Sequence, residues 1–335
     1  MPKEGFAYFL TKYFSDFLPI QTGASPNTVQ SYRDTFVQLL EFYKLQYNIS
    51  PEKLVYRDFT SERIEAFLSH LEKERDISIS TRNQRLAAIH SFFRYIQYRD
   101  PYGFEQCAAV LSVPFKKAPV KPMNYMSIEE VRFLFSLPDQ KDNGQLRELA
   151  VMVMLYETGA RVQELIDLTP ASLRFSDITV AELHGKGNKT RLVPINADAA
   201  GIIRKYIHRS KRMDINEPLF VNRKGEKLTR AGVQYIIDKY VSIARKERTD
   251  MFRGKISNHC FRHSRAMHLL ESGVNLIYIR DLLGHTSVVT TEIYAKTNPK
   301  IKEEQIKKHS ASLTVNSRYS QNDKNNLVEW LKNNL

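Results

Sequence analysis

The sequence predicts a mainly α-helical protein that carries a small antiparallel β-sheet and is divided into two domains. Three observations predict it. Apolar residues recur at helical spacing through most of the chain, as in Val29, Tyr32, Phe36, Leu39 and Leu40. Over residues 176–195 the period changes to two, as in strands. Between residues 113 and 125, VPFKKAPVKPMNY interrupts the helical pattern with prolines that keep it extended and lysines that make it basic.

Residues 1–112 read as a helical bundle. Ser25-Pro26 opens a helix with a capping hydroxyl and a proline in the first turn. A second helix spans roughly Ser61 to Arg75, with Ile64, Phe67, Leu68 and Leu71 inward. A third buries Leu86, Ile89, Phe93 and Ile96 and has Arg82, Asn83 and Arg85 at its polar start. Together with Thr28 and Arg33, these three are candidates to face a polyanion. In the segment 113–125, the domain boundary, Lys116, Lys117 and Lys121 suit a chain that crosses a duplex.

The second domain starts at Ser127-Ile-Glu-Glu130, a capping box. The run LRELAVMVMLYET is apolar on most sides, which implies a buried helix; Gly159 interrupts it and Arg161 follows. An arginine at such a junction needs a partner, and Glu157 or Glu164 is placed to supply one. Ile178, Val180 and Leu183, then Leu192, Val193 and Ile195, flank Gly185-Lys186-Gly187-Asn188, a strand-turn-strand pattern. The helix beginning near Thr229 turns Val233, Ile236, Ile237 and Tyr240 inward and leaves Arg230 and Gln234 where a helix start meets phosphate or a groove edge.

From His259 to Tyr294 the chain concentrates its chemistry. Asn258 or Ser257 caps a helix that turns Phe261, Leu269 and Leu270 inward and that Gly273 ends. Asn275 caps LIYIRDLL and Gly284 stops it. His285 sits just past that end, and a short helix from about Val288 carries Tyr294. The tail from Ser312 is polar and closes on an apolar stripe, Leu327, Trp330 and Leu331.

Lys and Arg number 50 against 37 Asp and Glu, a net charge of +13, so the expected partner is a polyanion: nucleic acid first, an anionic membrane second. No apolar run reaches the length of a membrane span and no basic amphipathic helix stands out, which weakens the membrane reading. Cys107 and Cys260 form no CxxC pair, so neither a disulfide framework nor structural zinc is expected, and a reducing cytoplasm fits. His259 and His263 lie four apart but have no HExxH and no evident third ligand, so no metal is expected. The chemistry this stretch suggests is attack by a phenol on phosphate. Tyrosine is a weak nucleophile near its usual pKa of about 10 and needs cations and proton carriers beside it. Arg262 offers a permanently charged fork matched to phosphate oxygens, and His259 and His285 donate to those oxygens or move protons.

His259-Cys-Phe-Arg262, Leu283-Gly284-His285 and Thr290-Thr291 leading to Tyr294 resemble the C-terminal signature of the tyrosine recombinases, the group of phage integrases, Xer recombinases and transposon recombinases. TGARVQEL resembles the family's TGxRxxEL and GKGNKTRLVP its hairpin; SPNTVQSY and TRNQRLAAIHSFFRYI look more loosely like its helical core-binding domain. The resemblance implies a two-domain clamp: a core-binding domain at 1–112, a linker at 113–125, a catalytic domain at 126–311 and a tail at 312–335. It implies Arg161, Lys186, His259, Arg262, His285 and Tyr294 as catalytic residues, with Lys189 as the competitor of Lys186 and no cofactor. The implied reaction is site-specific strand cleavage through a 3′-phosphotyrosyl link, for integration, excision or transposition of a mobile element or for resolution of DNA dimers. The implied assembly is a homo-tetramer on double-stranded DNA with paired inverted core sites, in a bacterial, nucleoid-associated setting. The terminal stripe folds back on its own domain or, as favoured here, docks on a neighbouring protomer. A type IB topoisomerase shares the catalytic logic, and a non-catalytic DNA-binding relative shares the charge; the helical N-domain and the number of matching catalytic positions favour the recombinase.

Overall fold

The computed structural model of the chain describes residues 5–100, 104–119, 123–185, 189–211, 214–285, 287, 291–294, 329 and 332. Two compact units divide it, Met1–Lys121 and Pro122–Leu335. The first carries α1 (Phe6–Lys12), α2 (Pro26–Tyr47), α3 (Ser61–Glu74), α4 (Ile79–Gln97) and α5 (Phe104–Leu111). Ser25, Thr60 and Ser78 each cap the helix that follows by accepting a backbone N–H, and Pro26 takes a first-turn position where its missing N–H costs nothing. Between α1 and α2 the chain widens into a π-helical stretch, Tyr13–Gln21, around Pro19. The core is largely aromatic: Phe6 stacks on Phe59 with ring centres 4.6 Å apart, and Tyr13, Phe36, Phe92 and Phe93 are buried around them.

The second unit carries α6 (Ile128–Ser136), α7 (Asn143–Thr158), α8 (Val162–Ile166), β1 (Leu173–Arg174), β2 (Thr179–Gly185), β3 (Lys189–Ile195), α9 (Ala197–Ser210), α10 (Arg230–Glu247), α11 (Asn258–Glu271) and α12 (Leu276–Leu283). The capping box at α6 is formed in both directions, Ser127 Oγ to Glu130 N–H and Glu130 Oε2 to Ser127 N–H. Helix α7 is buried along nearly its whole length, as its continuous apolar run requires. Helix α11 is strapped to the start of this unit: Ser264 Oγ accepts from the Met126 N–H and His268 Nε2 bonds the Met126 carbonyl. Its other side carries His259 and Arg262. Asn275 caps α12 and Gly284 ends it in the left-handed region. The strands form one antiparallel sheet in the order β1-β2-β3, with Thr179 opposite Ile195 and Gly185 opposite Lys189. Among the described residues no helix is long and apolar enough to cross a membrane.

Strands β2 and β3 form the antiparallel pair expected from the sequence, and one expectation, in the helical unit, needs correcting. In the sheet the buried face is Thr179, Ala181 and Leu183 against Val193 and Ile195, while Ile178 and Leu192 are 64% and 55% exposed. Strand parity decides this, because residues one apart point to opposite faces and Ala181, small and unremarkable in the sequence, is the residue in register. The short β1, not expected, extends the sheet beyond the hairpin. In the helical unit, Arg82 does not face outward: it is 4% exposed and donates to the Pro114 carbonyl and to Asn83 Oδ1. Asn83 pairs with the backbone of Lys116 in both directions, donating to its carbonyl at 2.7 Å and accepting from its N–H at 3.1 Å. Lys116 reaches Glu72, which also lies 4.0 Å from Arg82 Nε. The beginning of the basic segment is thus tied to α4, and the polar start of that helix is occupied by the chain itself. We expect Arg82→Ala to cost about 1–3 kcal/mol in urea unfolding, because it removes a buried side chain together with its hydrogen bonds to Pro114 and Asn83. A variant as stable as wild type would free Arg82 from this role.

Candidate active site

Helices α7 and α12 both end on a glycine in the left-handed region, Gly159 at φ 55° and Gly284 at φ 64°. A Cβ on Gly159 would lie 2.8 Å from Leu283 Cδ2, so the two helix ends approach as closely as they do only because that side chain is absent. Arg262 of α11 fills the junction. Its Nη1 donates to the Gly159 carbonyl at 2.5 Å and its Nη2 to the Leu283 carbonyl at 2.6 Å, at the C-terminal ends of α7 and α12 where the helix dipoles favour a cation. Those bonds use two of a guanidinium's five N–H donors and fix the plane of the rest. Burial, then the nearby charge of Arg161, pushes Arg262 down to about 10, so it stays charged at neutral pH.

Arg161 opens α8 and is held by Glu164, which accepts its backbone N–H at 2.8 Å and its Nη1 at 2.9 Å. Glu157, the alternative partner in the sequence, pairs with Arg265 and Asn196 instead. The Arg161 side chain is 38% exposed, so its guanidinium is accessible to a ligand. Glu164 also takes both terminal nitrogens of Arg191, at 2.6 and 3.1 Å, and Arg191 Nε donates to the Leu282 carbonyl. Burial works against the Glu164 charge, but these bonds, those of Arg191 foremost, hold its carboxyl below the usual range. The sequence reading missed Arg191, although a signal was there. It shares strand parity with Val193 and Ile195, and a charge on the inward face of a strand must find a partner.

Around this cationic floor stand the histidines and the tyrosine. His285, just past Gly284, bonds Thr291 Oγ1 through Nδ1 at 2.9 Å, and its ring lies parallel to that of Tyr294 with centres 6.5 Å apart. Residues 291–294 are helical, and Tyr294 is 2% exposed with its hydroxyl 3.1 Å from His263 Nδ1. His263, noted in the sequence only as a metal-site possibility, is therefore the hydroxyl's neighbour. Burial, then the positive charge of Arg262 and Arg161, lowers His259; the same causes take His285 to about 4. Burial raises the Tyr294 phenol while Arg262 and Arg161 pull it back, leaving it protonated at neutral pH. Arg161, His259, Arg262, His285 and Tyr294 are brought together by these contacts and fields. Lys186 lies outside the described residues, as do Lys121 and the stripe Leu327, Trp330 and Leu331. Among the described residues no group of three His, Cys, Asp or Glu side chains forms a metal site.

The remaining candidates are dispersed. Arg33, Lys117 and Lys189 are exposed, and Lys116 is exposed while paired with Glu72. Thr28 shares a hydrogen bond with Ser25 Oγ at the start of α2, and Arg85 donates to the Ser31 carbonyl and Thr35 Oγ1, joining α4 to α2. Arg230 donates to Gln163, and Gln234 to Asp238 and the Ile256 carbonyl.

Comparison with known proteins adds to this geometry. The Phage integrase family pattern matches residues 124–300, more than half of the chain, and the Phage integrase N-terminal SAM-like domain matches residues 10–101. An integrase/recombinase homologue of Sinorhizobium fredii is 34% identical over 325 residues, covering 97% of each chain. Tyrosine recombinase XerC of Pelotomaculum thermopropionicum is 30% identical, covering 88% of this chain and 96% of its own. Among solved structures, the XerH site-specific recombinase bound to its palindromic difH substrate has the same fold, with TM-score 0.69 and 20% identity over 86% of this chain and 82% of that one.

The Glu164 contacts make a stability prediction. Its folded-state pKa lies below the unfolded value, so the stabilisation is fully present above the ordinary glutamate pKa of about 4.3 and is lost as pH falls through the depressed value. Glu164→Gln should cost about 3–5 kcal/mol at pH 7 by leaving two guanidiniums underpaired, and the gap to wild type should narrow on acidification. An equal gap at pH 7 and pH 3 would show that the carboxylate charge is not what stabilises the junction.

Proposed function

The chain belongs to the phage integrase family of tyrosine recombinases, enzymes that cleave and rejoin DNA at specific sites, and from that premise we propose how its own residues carry out the reaction. Arg161 and Arg262, aided by His285, grip the scissile phosphate and offset the charge that grows on its non-bridging oxygens. Tyr294 attacks in line. The Tyr294 oxygen bonds to phosphorus, the bond to the 5′-oxygen breaks, and a 3′-phosphotyrosyl link and a free 5′-hydroxyl result. Lys186 protonates the departing oxygen and His259 assists proton transfer. The phosphoester energy is kept in the protein–DNA link, so a hydroxyl from another strand reverses the step without a nucleotide cofactor.

One observation above all supports this reading: the same two guanidiniums act electrostatically on His259, His285 and Tyr294, so the phenol, the proton carriers and the cations share one small space. Neutral histidines suit it, since each then offers one N–H donor and one acceptor. DNA is the partner, in keeping with the net charge of +13. We further propose that the helical domain, residues 1–112, the basic segment 113–125 and the catalytic domain, residues 126–311, each contact the same duplex. Exchange between two duplexes needs a protomer at each of four cleavage positions, hence a homo-tetramer on paired inverted core sites. The tail, residues 312–335, docks its apolar stripe on a neighbouring protomer. Integration, transposition and dimer resolution all run on this chemistry.

The test begins with a duplex that the protein has selected from a random-sequence pool, nicked at successive positions and resolved on a denaturing gel. Wild type should give a protease-sensitive, slow-migrating adduct that Tyr294→Phe does not. Arg262→Ala and Arg161→Ala should lower cleavage by roughly a hundredfold or more while keeping much of the DNA affinity. An adduct formed by Tyr294→Phe would take the nucleophile elsewhere. Deleting residues 322–335 should impair assembly of the multi-protomer complex more than binding of one protomer, read by analytical ultracentrifugation on DNA; unchanged assembly would exclude the docking role.

A further inference from the structure

Tyr294 is buried and protonated, so its attack on phosphorus requires somewhere for the phenolic proton to go. Two histidines, His263 and His285, adjoin it and a third, His259, adjoins His263; they are not equivalent. His285 has Nδ1 engaged by Thr291 Oγ1, and its ring lies parallel to that of Tyr294 with centres 6.5 Å apart. His259 lies one helical turn before His263, with their ring centres 6.4 Å apart. His263 Nδ1 is 3.1 Å from the Tyr294 hydroxyl, with the rings inclined at 57°, so the phenol and an imidazole nitrogen share a hydrogen bond. Either group can donate in it; with the His263 proton on Nε2, Nδ1 is the acceptor and the phenol the donor, which is the tautomer that proton transfer requires.

We propose that His263 is a catalytic residue of this recombinase: its Nδ1 takes the proton of Tyr294 during strand cleavage and returns it during religation. The proposal rests on Tyr294 being the nucleophile. In the forward step the Oη–H bond breaks as the Oη–P bond forms, the proton passes to Nδ1, and the bond from phosphorus to the 5′-oxygen breaks with that oxygen protonated by Lys186. In the reverse step the 5′-hydroxyl attacks phosphorus and gives its proton to Lys186, the bond from phosphorus to the tyrosyl oxygen breaks, and the imidazolium returns its proton to that oxygen. His259 is next in line to carry the charge away from the site.

The surroundings explain why the transfer is timed to the chemistry. His263 faces His259 and Arg262 on its own helix, His285 beyond the end of α12, and Tyr294 on the segment opposite. Burial first, then His259 and Arg262, take it down to about 4, so at neutral pH it is a neutral acceptor. A bound phosphodiester brings one negative charge and its transition state more. Both oppose the field of Arg262 and raise the basicity of an adjacent imidazole. The base therefore strengthens as the phenol reacts.

The experiment is single-turnover cleavage of the selected, nicked duplex by wild type, Tyr294→Phe, His263→Asn and His263→Phe, each measured from pH 6 to pH 9. Asparagine keeps a hydrogen-bond acceptor near the position of Nδ1 but does not take up a proton. His263→Asn should bind the duplex as wild type does and cleave it about 10²–10⁴-fold more slowly at pH 7. Its rate should climb about tenfold per pH unit where wild type is flat, because hydroxide then removes the proton. Replacing Tyr294 with a fluorinated tyrosine of lower pKa should restore much of the loss in His263→Asn and change wild type little. Cleavage by His263→Asn within about threefold of wild type, or slow cleavage with an unaltered pH profile, would overturn the proposal and leave His263 a positioning residue. Loss of DNA binding in both His263 variants would overturn it by making the residue structural. Failure of wild type to form the adduct, or an adduct with Tyr294→Phe, would instead remove the nucleophile reading, and the two failures are told apart on the same gel.

Discussion

A buried guanidinium at the meeting point of two helix ends holds the catalytic unit together. Arg262 donates to the carbonyls of Gly159 and Leu283, so one side chain of α11 bonds the ends of both α7 and α12. Helices α7 and α12 present their negative ends to the cation, and each can do so because it terminates in a left-handed glycine that turns the chain away. Arg161 and the histidines are positioned from these three elements or from residues just past their ends, and Tyr294 from the helical segment 291–294. Movement of Arg262 would carry the whole arrangement with it.

Charge balance in the site follows from that arrangement. Arg161, Arg191 and Arg262 are set against the single carboxylate of Glu164, and Arg191 takes more of that carboxylate than Arg161 does. Arg191 is thereby neutralised in place, whereas Arg161 keeps an accessible guanidinium. Burial, joined by the positive excess, depresses His259, His263 and His285, and the same excess opposes the burial that raises the phenol. A site of this kind gains more from an entering anion than a neutral one would, since the anion relieves repulsion as well as making hydrogen bonds.

The helical unit illustrates how a polar surface stripe divides its labour. Arg82, Asn83 and Arg85 share one polar helix start, yet Arg82 and Asn83 bind the chain at Pro114 and Lys116, and Arg85 joins α4 to α2. Periodicity alone does not separate such roles, because a charged side chain that serves its own chain and one that serves a ligand occupy the same helical positions.

Much was legible in the sequence because it is local. The caps at Ser25, Ser127 and Asn275, the helix ends at Gly159 and Gly284, and the inner faces of α3 and α4 all follow from a few neighbouring residues. Tertiary structure decided which donor meets which acceptor. Gly159 and Arg262 are 103 positions apart, Glu164 chose Arg191 as well as Arg161, and the Tyr294 hydroxyl found His263, not either of the histidines the signature had singled out. The physical reason is that hydrogen bonds are short and directional. Which groups come within 3 Å of each other depends on how separate helices pack, and helical periodicity says which face is buried but not what it will touch.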